Sequence, residues 1–358
     1  MQKEIKNLLL WNQGKKPEPI EIELAPTLDC NLNCLFCWRQ GTKYKKSDEL
    51  SLADYKKIID QASNLGVKSI KIIGGGEALF RKDIIDLMLY IKKKSLFGYI
   101  CTNGNLFNKD SIEGLVKSNW DHIKISFHSP NAKTNDFLVG RKGAFNKVIE
   151  NIKLINHFKN KYGRKVPFIE IGYVLVNKNH TSILEMLKLC RDLKVNAFFV
   201  EPITVYSKKG EKLRLSKKQS KEFGEIAKKG LDFAKKYHIQ TNLDTFLSED
   251  LVEKTGKIDI SVLKANQEGF LGVPCYEPWL RIGIRVNGEV CPCGFFDTKT
   301  TENIKENSLQ EIWYGPYFNT LRKNMLSGNL PEHCRKCCTT LVMNNINLRK
   351  ELGKYIKK

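Results

Sequence analysis

Between residues 20 and 205, short β-branched runs alternate with longer runs whose apolar residues recur at spacings of three and four, and this alternation constrains the fold more than any other feature. The strand candidates are IEIELAP (20–26), SIKIIG (69–74), FGYICT (97–102), HIKISFH (122–128), FIEIGYVLV (168–176) and AFFVEPI (197–203). Between them lie helical patterns such as LADYKKIIDQASNLG, KDIIDLMLYIKKK, NKVIENIKLINHF and SILEMLKLCRDLK. Six β-then-α units in series predict an α/β fold with a parallel sheet and outer helices, either an open doubly wound sheet or a partial (β/α)6 TIM-like barrel. In both, chemistry gathers at the carboxyl ends of the strands.

Just past the first strand, CNLNCLFCW (30–38) brings Cys30, Cys34 and Cys37 onto one short loop. Three thiolates hold a metal centre but leave a fourth position open. An iron–sulfur cube with one unclaimed iron fits that arrangement. A structural zinc site is the competing reading, although zinc sites usually pair C-x2-C knuckles and close all four positions. The chain has 11 cysteines, an odd number gathered toward its two ends, which argues against a secreted disulfide framework and for metal or redox chemistry. No apolar run approaches the roughly 20 residues that span a bilayer, so a cytoplasmic location and no membrane partner are expected.

The formal net charge of +21 is compatible with a nucleic acid, an anionic membrane surface, a phosphorylated substrate or an acidic protein partner. The lysines of SKKQSKEFGEIAKKGLDFAKKYH fall on what reads as a solvated helix face, and a general bias toward lysine is the plainer account.

A second cysteine set, Cys275, Cys293, Cys334 and Cys337, lies in VPCYEPWLRIGIRVNGEVCPC and LPEHCRKCC. Two pairs brought together across a hairpin close a tetrahedral site, for zinc or for an iron–sulfur cube. The segment IRVNGEV (284–290), with Asn-Gly between β-branched runs, supplies the hairpin turn. Cys291 and Cys338 are adjacent extras, read as buried thiols, spare ligands or hydrogen-atom donors, and Cys101 and Cys190 as core thiols. His128, after the fourth strand, is either a satisfied polar residue or a substrate contact. The expected division is an N-terminal lead (1–19), a barrel (20–210), a helical linker (211–270), a small cysteine-rich domain with the hairpin (271–345) and a basic tail (346–358).

The sequence resembles the radical SAM superfamily, whose signature C-x3-C-x-aromatic-C is matched by Cys30, Cys34, Phe36 and Cys37. The resemblance implies a [4Fe–4S] cluster whose open iron is chelated by the amino and carboxylate groups of S-adenosylmethionine (SAM). IIGGGEALF (72–80) looks like the family's GGE motif, which implies that Gly74, Gly75, Gly76 and Glu77 hold the methionine amino group; Ala78 stands where proline is usual. CTNG (101–104) and KISFHS (124–129) are similar to the ribose and carboxylate contacts, implying Asn103 and Ser126. In FLVGRKGAF (137–145), Val139 occupies the usual arginine position and Arg141, two residues on, is the candidate carboxylate clamp. YVLVNKN (173–179) matches the fifth strand, with Asn177 or Asn179 toward the adenine. The resemblance covers residues 18–205.

The tail resembles the SPASM/twitch extension of such enzymes: a cysteine, then G-x4-C from Gly288 to Cys293, then SLQEIWYGPYFNTLRKNMLSGNLPEHCRKC. With no cysteine after Cys338, it fits one auxiliary [4Fe–4S] cluster on Cys275, Cys293, Cys334 and Cys337. The implied activity is reductive cleavage of SAM to a 5′-deoxyadenosyl radical that abstracts a hydrogen atom from a substrate C–H bond. An auxiliary cluster that accepts an electron favours net oxidation, and a hydrogen-donating Cys291 or Cys338 would permit epimerisation. About twenty residues precede the first strand, which weighs against leader-peptide recognition. The resemblance to twitch enzymes with one auxiliary cluster, which include oxidoreductases of sugars and aminocyclitols, implies a small polar or anionic metabolite as substrate. Peptide or protein modification is the alternative, and a zinc-containing nucleic-acid-binding protein is the alternative from another class. The expected reductant is a flavodoxin or ferredoxin.

Overall fold

A computed structural model of the protein describes residues 2–39, 46–247, 258–259, 269–293, 300–334 and 336–356. Most of the irregular part of the expected linker, residues 248–257 and 260–268, lies outside the described residues, as does Arg335 of the terminal motif.

The six expected strands form and pair in parallel in chain order: β1 (Glu21–Leu24), β2 (Ser69–Ile72), β3 (Phe97–Thr102), β4 (His122–Ser126), β5 (Phe168–Leu175) and β6 (Ala197–Pro202). A short β7 (Gln240–Thr241) continues the parallel run past β6. The helices of this half are α1 (Gln2–Asn12), α2 (Leu52–Leu65), α3 (Ile84–Lys93), α4 (Lys109–Lys117), α5 (Ala132–Val139), α6 (Ala144–Lys161), α7 (Ile183–Asp192), α8 (Lys208–Glu211) and α9 (Lys217–Lys236). Local chemistry fixes several of their starts. Ser51 with Asp54, Asn108 with Ser111, and Ser216 with Gln219 form reciprocal capping boxes at α2, α4 and α9.

The hairpin anticipated from Asn-Gly is present, with its placement decided by the fold. Its strands are β9 (Arg281–Ile284) and β10 (Val290–Cys291), which pair antiparallel, while β8 (Ile258–Asp259) pairs with β11 (Lys336–Cys337) in a separate two-stranded sheet. Strand β9 also lies parallel to β1, with Glu21 opposite Arg281 and Leu24 opposite Ile284. The hairpin therefore extends the barrel sheet, whose order is β10-β9-β1-β2-β3-β4-β5-β6-β7. The tail adds α10 (Leu309–Tyr314), α11 (Pro316–Ser327) and α12 (Thr339–Leu352).

One face of each strand packs against helices. Ile22, Leu24, Ile70, Ile72, Ile100, Ile123, Ile125, Ile169 and Ile171 are all buried in the principal core, each stabilised by roughly 1.5–3 kcal/mol of apolar burial. The opposite face, toward the barrel interior, carries Glu21, Glu23, Lys71, Cys101, Lys124 and Glu170, which is where period-two alternation places a site. In α9, Phe223, Ala227, Gly230 and Ala234 face inward and Lys217, Lys218, Lys221, Lys228, Lys229, Lys235 and Lys236 are exposed, the solvated lysine face expected. Among the described residues no helix is long and apolar enough to cross a membrane.

Candidate active site

The loop that follows β1 carries Cys30, Cys34 and Cys37, and backbone hydrogen bonds clamp it from two sides. Asn33 N donates to Val139 O (3.1 Å) and Leu35 N to Leu138 O (3.0 Å) at the end of α5. On the other side Gly76 N donates to Thr27 O (2.6 Å) and Glu77 N to Asp29 O (2.7 Å). The glycine run is what permits this approach. A Cβ on Gly75 would stand 2.3 Å from Thr27 O, and one on Gly76 would stand 2.0 Å from Asp29 O. Arg39 Nη1 donates to Leu28 O (2.8 Å) and closes the loop on itself, a contact the sequence reading missed.

Glu77 is 3% exposed and joins two loops. Its carboxylate accepts from Leu79 N (3.1 Å), Thr102 Oγ1 (2.6 Å) and Asn103 N (2.6 Å). Burial raises its pKa, and those three donors oppose the rise. Asn103 in turn donates from Nδ2 to Asn31 Oδ1 (2.7 Å), in the middle of the cysteine run. The loops after β1, β2 and β3 are thus one hydrogen-bonded unit.

These loops open onto a cleft of about 480 Å³ at the carboxyl ends of the strands. Of the residues singled out from the sequence, Cys30, Cys34, Phe36, Cys37, Gly74, Gly75, Gly76, Glu77, Asn103 and Ser126 all line it. Arg141 stands apart: it is exposed, and its Nη1 donates to Asn31 O (2.9 Å). Asn179 is fully buried and spends its amide on Val176 N, His128 O and Val174 O, while Asn177 Nδ2 donates to Lys212 O. His128 lines the cleft, with Phe36 packed edge-on against it at 4.9 Å between ring centroids. Cys101, read as a core thiol, also lines the cleft, 4.0 Å from Ser126 Oγ; Cys190 is buried in α7 as expected.

Glu201 at the end of β6, Tyr206 beyond it and Leu341 from the tail also line the cleft and were not read from the sequence; Cys338, one of the two extra cysteines, lines it with them. The two extra cysteines therefore separate. Cys338 faces the cleft, whereas Cys291 is buried against the hairpin and its thiol donates to Cys293 O (2.9 Å). The signal available in the sequence was the inward phase of β4 and β6, which puts Lys124 and Glu201 on the same face as Ser126.

The donor sets suit iron–sulfur clusters. Burial raises the pKa of Cys30, and it pushes Cys34 up to about 12, with Cys37 and Cys30 adding to the shift. Cys30, Cys34 and Cys37 would hold a cationic metal centre, which would offset the cost that burial imposes on their thiolates. In the tail, a hydrogen bond with Cys338 and then burial raise Cys337, with Cys275 and Cys293 close enough to contribute. Burial raises Cys275, with Glu277 and Cys334 adding to it. The four tail cysteines thus share one neighbourhood, although they come from three separate segments.

Residues 24–190 match the radical SAM superfamily model, and residues 275–338 match the iron–sulfur cluster-binding domain called SPASM. The chain belongs to the radical SAM superfamily, as a member with a SPASM-type auxiliary domain. SAM and [4Fe–4S] clusters, one at the SAM site and one auxiliary, are the cofactors of this class. Over 328 residues the chain is 23% identical to a PqqA peptide cyclase of Gluconobacter oxydans, covering 89% of this chain and 82% of that protein. It is 26% identical over 299 residues to an AdoMet-dependent heme synthase of Methanosarcina barkeri, covering 80% of each. The crystal structure of Streptococcus suis SuiB bound to S-adenosylmethionine shares the fold, with a TM-score of 0.66 at 22% identity, over 88% of this chain and 70% of that one.

Proposed function

We propose that the protein is a radical SAM enzyme that modifies a peptide, forming a cross-link or otherwise oxidising a residue within it. The observation that carries this reading is the match along 89% of the chain to a PqqA peptide cyclase. That relationship favours the peptide alternative over the sugar or aminocyclitol first expected. The heme synthase relative supports a second reading, a tetrapyrrole substrate.

In this proposal Cys30, Cys34 and Cys37 hold the SAM-binding cluster. Gly74, Gly75, Gly76, Glu77, Asn103, Ser126 and Phe36 surround SAM, and Arg141 braces the cysteine loop through Asn31. Cys275, Cys293, Cys334 and Cys337 hold the auxiliary cluster, and the division into a barrel (20–210) and a cysteine-rich domain (271–345) follows from these two sites. The bound cofactors supply one-electron reduction and hydrogen-atom abstraction. The chain's own contribution is positioning and exclusion of water. The Glu77 carboxylate and Asn103 amide lock the three loops around the cysteines, and Phe36, packed edge-on against His128, supplies apolar surface beside them.

The test is anaerobic incubation of reduced protein with SAM and a randomised peptide library, with 5′-deoxyadenosine and peptide mass both followed. Expected are 5′-deoxyadenosine and peptides lighter by two hydrogens, both absent from the Cys30→Ala/Cys34→Ala/Cys37→Ala variant. Wild-type iron near twice that of the variant supports two clusters. Turnover of a tetrapyrrole with every peptide left intact overturns the peptide reading.

A further inference from the structure

The cleft presents one fixed hydrogen-bond donor and one fixed acceptor. His128 Nδ1 accepts the backbone N–H of Val174 (3.1 Å), so the neutral ring carries its proton on Nε2. Burial lowers the His128 pKa to about 4 and keeps the ring neutral. The residue cannot swing. His128 N donates to Asn135 Oδ1 (3.1 Å), its carbonyl accepts from Asn179 Nδ2 (2.8 Å), and Phe36 packs on the ring at an interplanar angle of 86°. Among the described residues Nε2–H meets no acceptor.

The acceptor is Glu201. Lys124 Nζ holds its Oε1 at 2.6 Å, and among the described residues Oε2 meets no donor. The Lys124 charge lowers the pKa of Glu201 against the opposing effect of burial, so the group is a carboxylate. Lys124 is itself held by Glu170 Oε1 (3.4 Å), whose other oxygen is 2.9 Å from His122 Nε2. The carboxylate and the imidazole are close enough for each to act electrostatically on the other.

Val174, which donates to His128, is the register partner of Glu201, so the donor and the acceptor stand at neighbouring strand ends. Such a pair complements one residue of an extended peptide, whose own N–H and C=O point to the same side. We propose that His128 and Glu201 together grip one residue of the substrate backbone in extended form, Nε2–H donating to that residue's carbonyl oxygen and the carboxylate accepting the same residue's N–H. This rests on the peptide reading above and deepens it. Recognition at this point is of main chain, so it tolerates different side chains while fixing the strand of peptide that runs past the cysteine loop. Lys124 is a positioning residue that holds Glu201 in place.

The probe is N-acetyl-glycyl-glycine N-methylamide, beside the ester analogue in which oxygen replaces the central N–H, with myo-inositol as the polyol comparison. Binding to anaerobic, SAM-loaded holoenzyme is read by saturation-transfer NMR in wild type, Glu201→Gln, Glu201→Asp and His128→Phe, with melting curves and iron content recorded for each. Wild type is expected to prefer the amide over the ester by about ten-fold, the size of a charge-assisted hydrogen bond. Glu201→Gln is expected to abolish that preference, and His128→Phe to weaken both peptides while keeping it. Equal binding of amide and ester by wild type, a comparison that needs no variant, overturns the proposal even where peptide turnover is established. Binding of myo-inositol with neither peptide bound overturns the proposal and the peptide reading together.

Discussion

Arg281 Nε lies 3.0 Å from a carboxylate oxygen of Glu277, and both side chains are buried. Glu4, Glu23 and Glu21 approach the same guanidinium at 3.4, 3.6 and 3.9 Å. One cation therefore serves four carboxylates at the seam where the hairpin strand β9 joins β1 and α1. Burial raises the Glu277 pKa to about 7 while Arg281 opposes the rise. Arg281→Met removes the cation facing buried Glu277 and Glu23, while Glu21 keeps Lys71 at 2.9 Å. The expected loss is about 3–5 kcal/mol, the usual cost of breaking a buried pair from one side. Denaturant titration checks it, and a loss below about 1 kcal/mol would contradict the seam's importance.

Gly172 on β5 makes room for Lys124, since a Cβ there would stand 2.4 Å from Lys124 Cε. The lysine has little freedom to retreat, because Glu201 and Glu170 both hold its ammonium. Gly172→Ala is expected to cost about 1–3 kcal/mol through overpacking. It should also displace Glu201 and raise the KM for a peptide substrate more than it lowers kcat. Melting curves and steady-state kinetics on one preparation separate the two effects, and an unchanged KM would count against Lys124 as the support for Glu201.

His128 makes stability depend on pH in a defined direction. Its pKa is about 4 in the folded protein against an ordinary 6.5, so between those values the unfolded chain binds the proton and the folded chain does not. Its contribution to stability is complete above pH 6.5 and is lost progressively as pH falls toward 4, by about 3 kcal/mol in all. His128→Phe should flatten that part of the stability profile. An unfolding midpoint equally steep in pH for both proteins would show that the native imidazole is not the group responsible.

Asn103 couples the third loop to the cysteine run, and its amide also accepts from Asn105 N at 2.9 Å. Asn103→Ala should weaken SAM binding by about ten-fold, the worth of one or two hydrogen bonds, and leave iron content unchanged. Equilibrium dialysis with labelled SAM and an iron assay on the same sample decide this. A parallel fall in iron would mean that Asn103 supports the cluster instead.

The lysines of α9 form an exposed basic face, which we propose docks an acidic flavodoxin or ferredoxin as reductant. Turnover with such a donor is expected to slow as ionic strength rises, while turnover with dithionite is unchanged, because screening acts on protein encounter over about 10 Å at 0.1 M salt. Equal salt sensitivity with both reductants would remove the proposal.

The β-branched runs and the spacing of three and four gave the strands β1 to β6 and the principal helices, because each pattern is local and its period survives in one dimension. Cys30, Cys34, Phe36 and Cys37 were equally legible, since one loop carries the whole motif. Other relationships were not. Lys124 meets Glu201 only because β5 separates their strands in a sheet of fixed register, with a glycine, Gly172, between them. The tail's Cys338 reaches the cleft, Cys291 turns away from it, and β9 docks beside β1, all through pairings between residues far apart in the chain. Sequence determined which segments are strands, which are helices and which loop carries the clustered thiols. Tertiary structure decided which polar side chains meet inside the barrel, because strand order and register bring together residues whose local sequence does not distinguish them from surface charges.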